Sequence, residues 1–182
     1  MEPVFRAWYE RKMSATPELI AETKLVENIL RTIKTIAIVG ISKNEHKDSH
    51  YVGRYLQRAG YTIVPVNPTA STILGERCYP DLESIPFPVD VVDIFRKPEE
   101  AVAVVGQALL LRPKVVWLQL GVGTHEEAVR KAEAAGCLLI QNRCMKVDHQ
   151  FLIRTSLSHS TNNHTSKGES HEQQRENTSL SV

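Results

Sequence analysis

The chain has 182 residues, 42% of them hydrophobic and 24% charged, the proportions of one globular domain with extensions. Its 22 basic residues balance 21 acidic ones, and a net charge of +1 excludes the large basic excess of a general nucleic-acid binder. No apolar run is long enough to span a bilayer, the N-terminal stretch lacks the apolar core of a secretory signal, and the three cysteines have neither zinc nor C-x-x-C spacing, so a reducing, cytoplasmic setting is expected.

Residues 1–15 read as an N-terminal extension. "TPELIAETKLVENILRTIK" then predicts a helix, with Thr16 as cap and Pro17 in the first turn, where its missing N–H has no partner to lose. Leu19, Val26, Leu30 and Ile33 recur on its inner face. "TIAIVG" is apolar without alternation, as a strand covered on both faces requires. "DSHYVGRYLQRAG" predicts a helix capped by Asp48 or Ser49 and stopped at Gly60, with Val52, Leu56 and Ala59 inward.

"YTIVPVNP" is a second strand, and "ASTILGERCYPDLESIP" an irregular connection with a short helix expected at Asp81–Ser84. "VDVVDIFRK" is the third strand, followed by a helix that starts at Pro98 with two acids in its first turn. "KVVWLQLG" is the fourth strand. "THEEAVRKAEAAG" predicts a helix with a Thr124/Glu127 capping box and a stop at Gly136. "CLLIQN" is the fifth strand and "CMKVDHQFLI" a closing helical segment. From residue 155 the composition turns to Ser, Thr, Asn, Gln and charges, which predicts a disordered tail.

Five apolar strands alternating with helices imply an α/β domain over residues 16–154: an open parallel sheet with helices on both faces. Ligands in such sheets bind beyond the carboxyl ends of the strands. The loop after the first strand lacks the G-x-G-x-x-G of a dinucleotide fingerprint and has only Gly40 at the strand end. Ser42, Lys43 and Lys47 follow, beside a helix N-terminus that can receive an anion, and Arg54 adds charge within the helix. Gly53 allows a ligand or a strand to come close.

The second strand ends in "PVNPT", without the carboxylate that an NAD site turns to its ribose, and Asn67 serves either a ligand or a turn. Phe95, Arg96 and Lys97 suit a base and phosphate, or a strand end with two surface charges. Asp93 is expected to bond backbone donors. Gly121 and Gly123 admit a ligand backbone contact or a plain turn. Cys144 lies near Arg143, Lys146 and His149, an environment expected to lower a thiol pKa.

"VGIS", "YLQRAGYTIVPVNPT", "LGERCYPDLESIP", "VDVVDIFRKPEE", "VVWLQLGV" and "NRCMKVDH", in this order, resemble the stand-alone CoA-binding domain family, itself similar to the CoA-binding domain of the succinyl-CoA synthetase alpha subunit. The resemblance covers about residues 16 to 153. It implies a Rossmann-like five-stranded sheet and CoA or acyl-CoA as ligand. It assigns the phosphate loop to Gly40, Ile41, Ser42 and Lys43, a strand-end contact to Val66, Asn67 and Pro68, and a further loop to Phe95, Arg96 and Lys97.

Gly121 joins this set as a loop glycine at the fourth strand end. Asn142 stands where many members of the family carry an acid. The synthetases' phosphorylated histidine lies in a separate domain for which this chain has no room, so the resemblance implies a binding module without evident catalytic machinery, nucleic acid, membrane or metal. Two other readings stay open: an NAD(P)-dependent oxidoreductase, and a thiol protein that forms a mixed disulfide with CoA through Cys144.

Overall fold

The computed structural model describes residues 17–154. The Thr16 cap, the N-terminal extension and the polar tail lie outside that range. The elements run α1 (Pro17–Thr32), β1 (Thr35–Val39), α2 (Asp48–Arg58), β2 (Thr62–Val66), β3 (Thr72–Ile73), β4 (Glu76–Arg77), β5 (Val91–Ile94), α3 (Pro98–Leu110), β6 (Val115–Leu118), α4 (Glu126–Ala134), β7 (Leu138–Ile140) and α5 (Met145–His149), closed by a π-helical turn, Gln150–Arg154.

Five strands form one parallel sheet in the order β2-β1-β5-β6-β7. The Rossmann-like α/β architecture expected from the sequence is therefore present. The strands alternate between two apolar layers, because successive side chains point to opposite faces. Ile36, Ile38 and Trp117 pack with Val26, Leu30, Leu56 and Met145 from α1, α2 and α5. Ala37, Val92, Ile94 and Leu118 pack with Val105, Ala108 and Ala128 from α3 and α4. Among the described residues no helix is long and apolar enough to cross a membrane.

The chain leaves β1 toward one face through α2, and β5 toward the other through α3. Strand order thus reverses between β1 and β5, and their outgoing loops part over a crevice. Gly40 sits at its floor with φ +82°, and a Cβ there would lie 2.2 Å from the Phe95 carbonyl oxygen. Only glycine lets the two loops approach so closely. Gly53 answers to packing: a Cβ would meet Ile41 Cδ1 at 2.9 Å and Leu74 Cδ1 at 3.2 Å, so it admits the first loop and a hairpin.

Several local expectations are corrected. Helix α2 begins at Asp48 with Lys47 at the cap position, and neither Asp48 nor Ser49 caps it. The Ser49 hydroxyl instead accepts from the Ser42 N–H at 3.1 Å. Helix α4 begins at Glu126 after His125, without the Thr124 cap. Gln141 Oε1 takes the His125 N–H at 2.8 Å, which holds the entry from the opposite loop.

Asp81–Ser84 is no helix. Asp81 Oδ1 accepts from both the Ser84 N–H (2.8 Å) and its hydroxyl (2.6 Å), closing a single turn. The connection also holds the hairpin β3–β4, turned at Leu74 (φ +57°) and Gly75 (φ +78°). Two successive positive φ values match the twist of paired strands.

Candidate functional site

Two clefts open beyond the carboxyl ends of the strands. One, of about 480 Å³, has Val39, Val66, Pro68, Leu82 and Val104 as apolar walls and Asn67, Thr69, Asp81 and Gln107 as polar groups. The other, of about 880 Å³, runs between the N-termini of α2 and α3 past Lys47, Asp48, Phe95, Lys97 and Glu100 to Leu120, Gly121 and Val122. Gly40, Ser42 and Arg96 line both. Each volume falls within the range of small-molecule sites, about 300–1,000 Å³.

The first loop is held from several directions. Ser42 Oγ accepts from the Asn44 N–H at 3.1 Å, and His50 Nδ1 bonds the Ser42 carbonyl at 2.8 Å. Asn67 Nδ2 donates to the Ile41 carbonyl at 2.7 Å, while its Oδ1 accepts from the Thr69 N–H and hydroxyl, each at 2.8 Å. Asn67 is thus both a turn former and a strut between the β1 and β2 loops.

Arg96 donates to Glu100 Oε1 at 2.7 Å, and this guanidinium is the main influence holding the Glu100 carboxyl below its usual pKa. Lys97 N–H reaches Glu100 Oε2 at 3.3 Å. On the far wall, Asn142 (φ +52°) accepts from the Gly121 N–H at 3.2 Å through Oδ1. An amide oxygen fills that acceptor role without a charge.

Asp93, wholly buried in β5, receives Gln119 Nε2 at 3.0 Å on Oδ2. The Gln119 side chain joins the backbone N–H of Ile94, a donor of the kind expected, in bonding this carboxyl. Burial pushes the Asp93 carboxyl up to about 8, so it keeps its proton at neutral pH.

Cys144 reverses expectation. Burial, aided by the Asp93 and Asp148 carboxyls, raises its thiol pKa instead of lowering it. The neighbouring cations are engaged elsewhere: Arg143 grips Asp148 at 2.7 and 3.0 Å and Glu22 at 3.1 Å, and Lys146 lies 4.3 Å from the Tyr51 ring centre. His149 bonds Tyr55 at 2.9 Å and is held by burial below the usual histidine pKa, so it brings no positive charge to the thiol at neutral pH. Cys144 lines neither cleft.

Residues 34–150 match the family model described as the CoA binding domain. The chain belongs to the CoA-binding domain family. The uncharacterized protein YneT of Bacillus subtilis (strain 168) is 37% identical over 124 residues, 68% of this chain and 91% of that one. A hypothetical protein from Pyrococcus horikoshii OT3 has a similar structure, with TM-score 0.68 and 39% identity over 72% of this chain and 92% of that one. The apo dinucleotide-forming acetyl-coenzyme A synthetase 1 of Ca. Korarchaeum cryptofilum matches with TM-score 0.55 and 26% identity, over 63% of this chain but 28% of that one.

In this CoA-binding domain, nine of the eleven candidate residues line the two clefts: Gly40, Ser42, Val66, Asn67, Pro68, Phe95, Arg96, Lys97 and Gly121. Ile41 and Lys43 do not. The Ile41 side chain is wholly buried in the core and only its carbonyl takes part, as the acceptor for Asn67. Lys43 is exposed outside both clefts, and Lys47 is the loop lysine that lines one. Arg54 pairs with Glu45 at 3.1 Å.

Sequence reasoning missed Thr69, Pro80, Asp81 and Leu82, which the irregular connection folds over the first cleft, and Val104 and Gln107 from α3. The one available signal was the Pro-Asp turn "YPDLES" after a buried tyrosine. Tyr79 pairs beside Val66 and passes its carbonyl to the Asn67 N–H at 2.8 Å, which carries Pro80 to the strand end.

Proposed function

We propose that this protein is a CoA-binding module that holds CoA or acyl-CoA across the two clefts, without turnover of its own. The observation that carries this reading is their junction at Gly40, Ser42 and Arg96, over the point where strand order reverses. CoA is elongated, with its phosphates near one end and an uncharged arm, and a cation at the junction of two partly apolar clefts suits it. Ser42 and Arg96 would hold phosphate, beside the N-termini of α2 and α3, whose dipoles favour anions. Val66, Asn67 and Pro68 would border one end of the ligand, and Phe95, Lys97 and Gly121 the other. Family membership supports the ligand class. The described cysteines are all free thiols, which suits the cytoplasm.

Thermal-shift titration with CoA, dephospho-CoA, NAD and NADP tests the reading, since a ligand that binds only the folded state raises its stability. CoA should stabilise most, with dephospho-CoA weaker if a cation meets the 3′-phosphate. NAD should be weakest, because no carboxylate stands at the end of β2. Stabilisation by NAD or NADP with none by CoA would overturn the proposal in favour of a dinucleotide enzyme.

A further inference from the structure

The cation at the junction of the clefts already has a partner. Among the described residues, Arg96 is the one charged side chain lining both clefts, and its guanidinium rests on Glu100, one turn along α3, at 2.7 Å. Its stem runs past the space that glycine leaves open at position 40: Arg96 Cδ lies 3.1 Å from where a Gly40 Cβ would be. The stem thus starts from the crevice floor, and the charged head lies on a carboxylate that itself lines the second cleft.

Both partners are about 40% exposed, and an exposed (i, i+4) ion pair is weak. Arginine binds phosphate through stronger, paired hydrogen bonds. An exchange from Glu100 to a phosphoryl group is thus downhill, but the ligand must first displace the carboxylate.

We propose that Glu100 is a competing acceptor for Arg96, so that a phosphate-bearing ligand binds by partner exchange and Glu100 weakens every ligand that takes Arg96. The role rests on the phosphate-binding reading of the junction. It makes Glu100 a residue that sets affinity through Arg96.

Glu100→Gln is the informative substitution, because Gln keeps the shape and can still accept from the Lys97 N–H. Glu99→Gln removes the same charge from the same turn, outside both clefts, and serves as the control. Isothermal titration with CoA, and in parallel with inorganic pyrophosphate, should show Glu100→Gln binding about two- to threefold tighter, the scale of one exposed pair. Glu99→Gln should match wild type. Arg96→Ala should weaken binding, and Arg96→Ala/Glu100→Gln should bind no better than Arg96→Ala.

Weaker binding by Glu100→Gln would mean that Glu100 positions Arg96, and overturns the exchange. Tightening that persists without Arg96, or that Glu99→Gln shares, would reduce the effect to bulk charge and also overturn it. The CoA reading fails separately if wild type binds pyrophosphate but not CoA, and the pyrophosphate series then still decides the role of Glu100. If wild type binds neither, both proposals fall.

Discussion

Asn67 Nδ2 donates to the Ile41 carbonyl at 2.7 Å and so ties the end of β2 to the loop leaving β1. This bond explains the missing acid at the β2 end in terms of the fold as well as the ligand. A carboxylate at this position has no proton to give and would face a carbonyl oxygen, so the residue an NAD site uses cannot hold this loop.

Asn67→Asp should accordingly lose stability without gaining NAD binding. The lost donor and the carbonyl left without a partner should cost about 1–3 kcal/mol. Chemical denaturation measures the cost, and NAD titration of the variant tests the second half. A variant as stable as wild type would show that the strut contributes nothing.

Gly40 and Gly121 both have positive φ, but only Gly40 is enclosed. Gly121→Ala should cost about 1–2 kcal/mol, the ordinary penalty of that backbone region for an L-residue. Gly40→Ala adds a clash with the Phe95 carbonyl oxygen, so it should cost more and abolish stabilisation by CoA by forcing the β1 and β5 loops apart. Equal melting temperatures for the two variants would contradict the close approach.

The sheet was legible because strands buried on both faces must be apolar throughout: "TIAIV" and "VVWL" admit no other reading once helices flank them. The strand-end loops were legible because parallel topology sends ligands there. Side-chain commitments were not. Nothing local tells that Lys43 points away while Lys47 faces the cleft, or that Arg143 is spent on Asp148 and Glu22, 121 residues distant in the latter case. The caps were misread likewise: the Ser49 hydroxyl is claimed by the Ser42 N–H, and α4 starts one residue beyond Thr124, where Gln141 takes the His125 N–H. The hairpin β3–β4 was missed because each strand has two residues, too short for any period to register.

Cys144 should behave as an inert thiol. Its raised pKa and partial burial leave little thiolate at neutral pH. Iodoacetamide should label it more slowly than an unstructured cysteine peptide, as read by peptide mass spectrometry. Cys144→Ser should keep stabilisation by CoA under reducing conditions. Rapid labelling, or loss of that stabilisation, would restore the mixed-disulfide reading.

Asp93 predicts a pH dependence of definite sign. Its carboxyl titrates at about 8 in the folded chain and at the ordinary value, 3.8, when unfolded. Between these values the folded protein holds a proton that the unfolded chain has released, so this group favours folding most below the unfolded pKa. Its contribution falls as pH rises, and the loss is complete once pH passes about 8. Among the described residues, only the thiols of Cys78, Cys137 and Cys144, pushed up by burial, share this sign within the range, and only as pH nears their ordinary value of 9.0; they are common to wild type and variant. Asp90, which burial pushes up but the Lys114 contact and the Lys34 and Thr35 N–H groups together bring below its usual pKa, loses its contribution as pH falls. His149, kept neutral by burial, also favours the folded state more as pH rises.

Asp93→Asn isolates the effect, since the amide oxygen can still accept from Gln119 and has no proton to lose. Between about pH 5 and 9, wild type should lose melting temperature relative to Asp93→Asn, and the difference, wild type minus variant, should fall steadily until it levels above about 8. The slope is the readout, because an extra buried N–H pair shifts the level of the Asn variant by an amount that does not vary with pH. Parallel curves for the two proteins would show that the Asp93 pKa is the same folded and unfolded, and that the buried pair with Gln119 holds an ionised carboxylate.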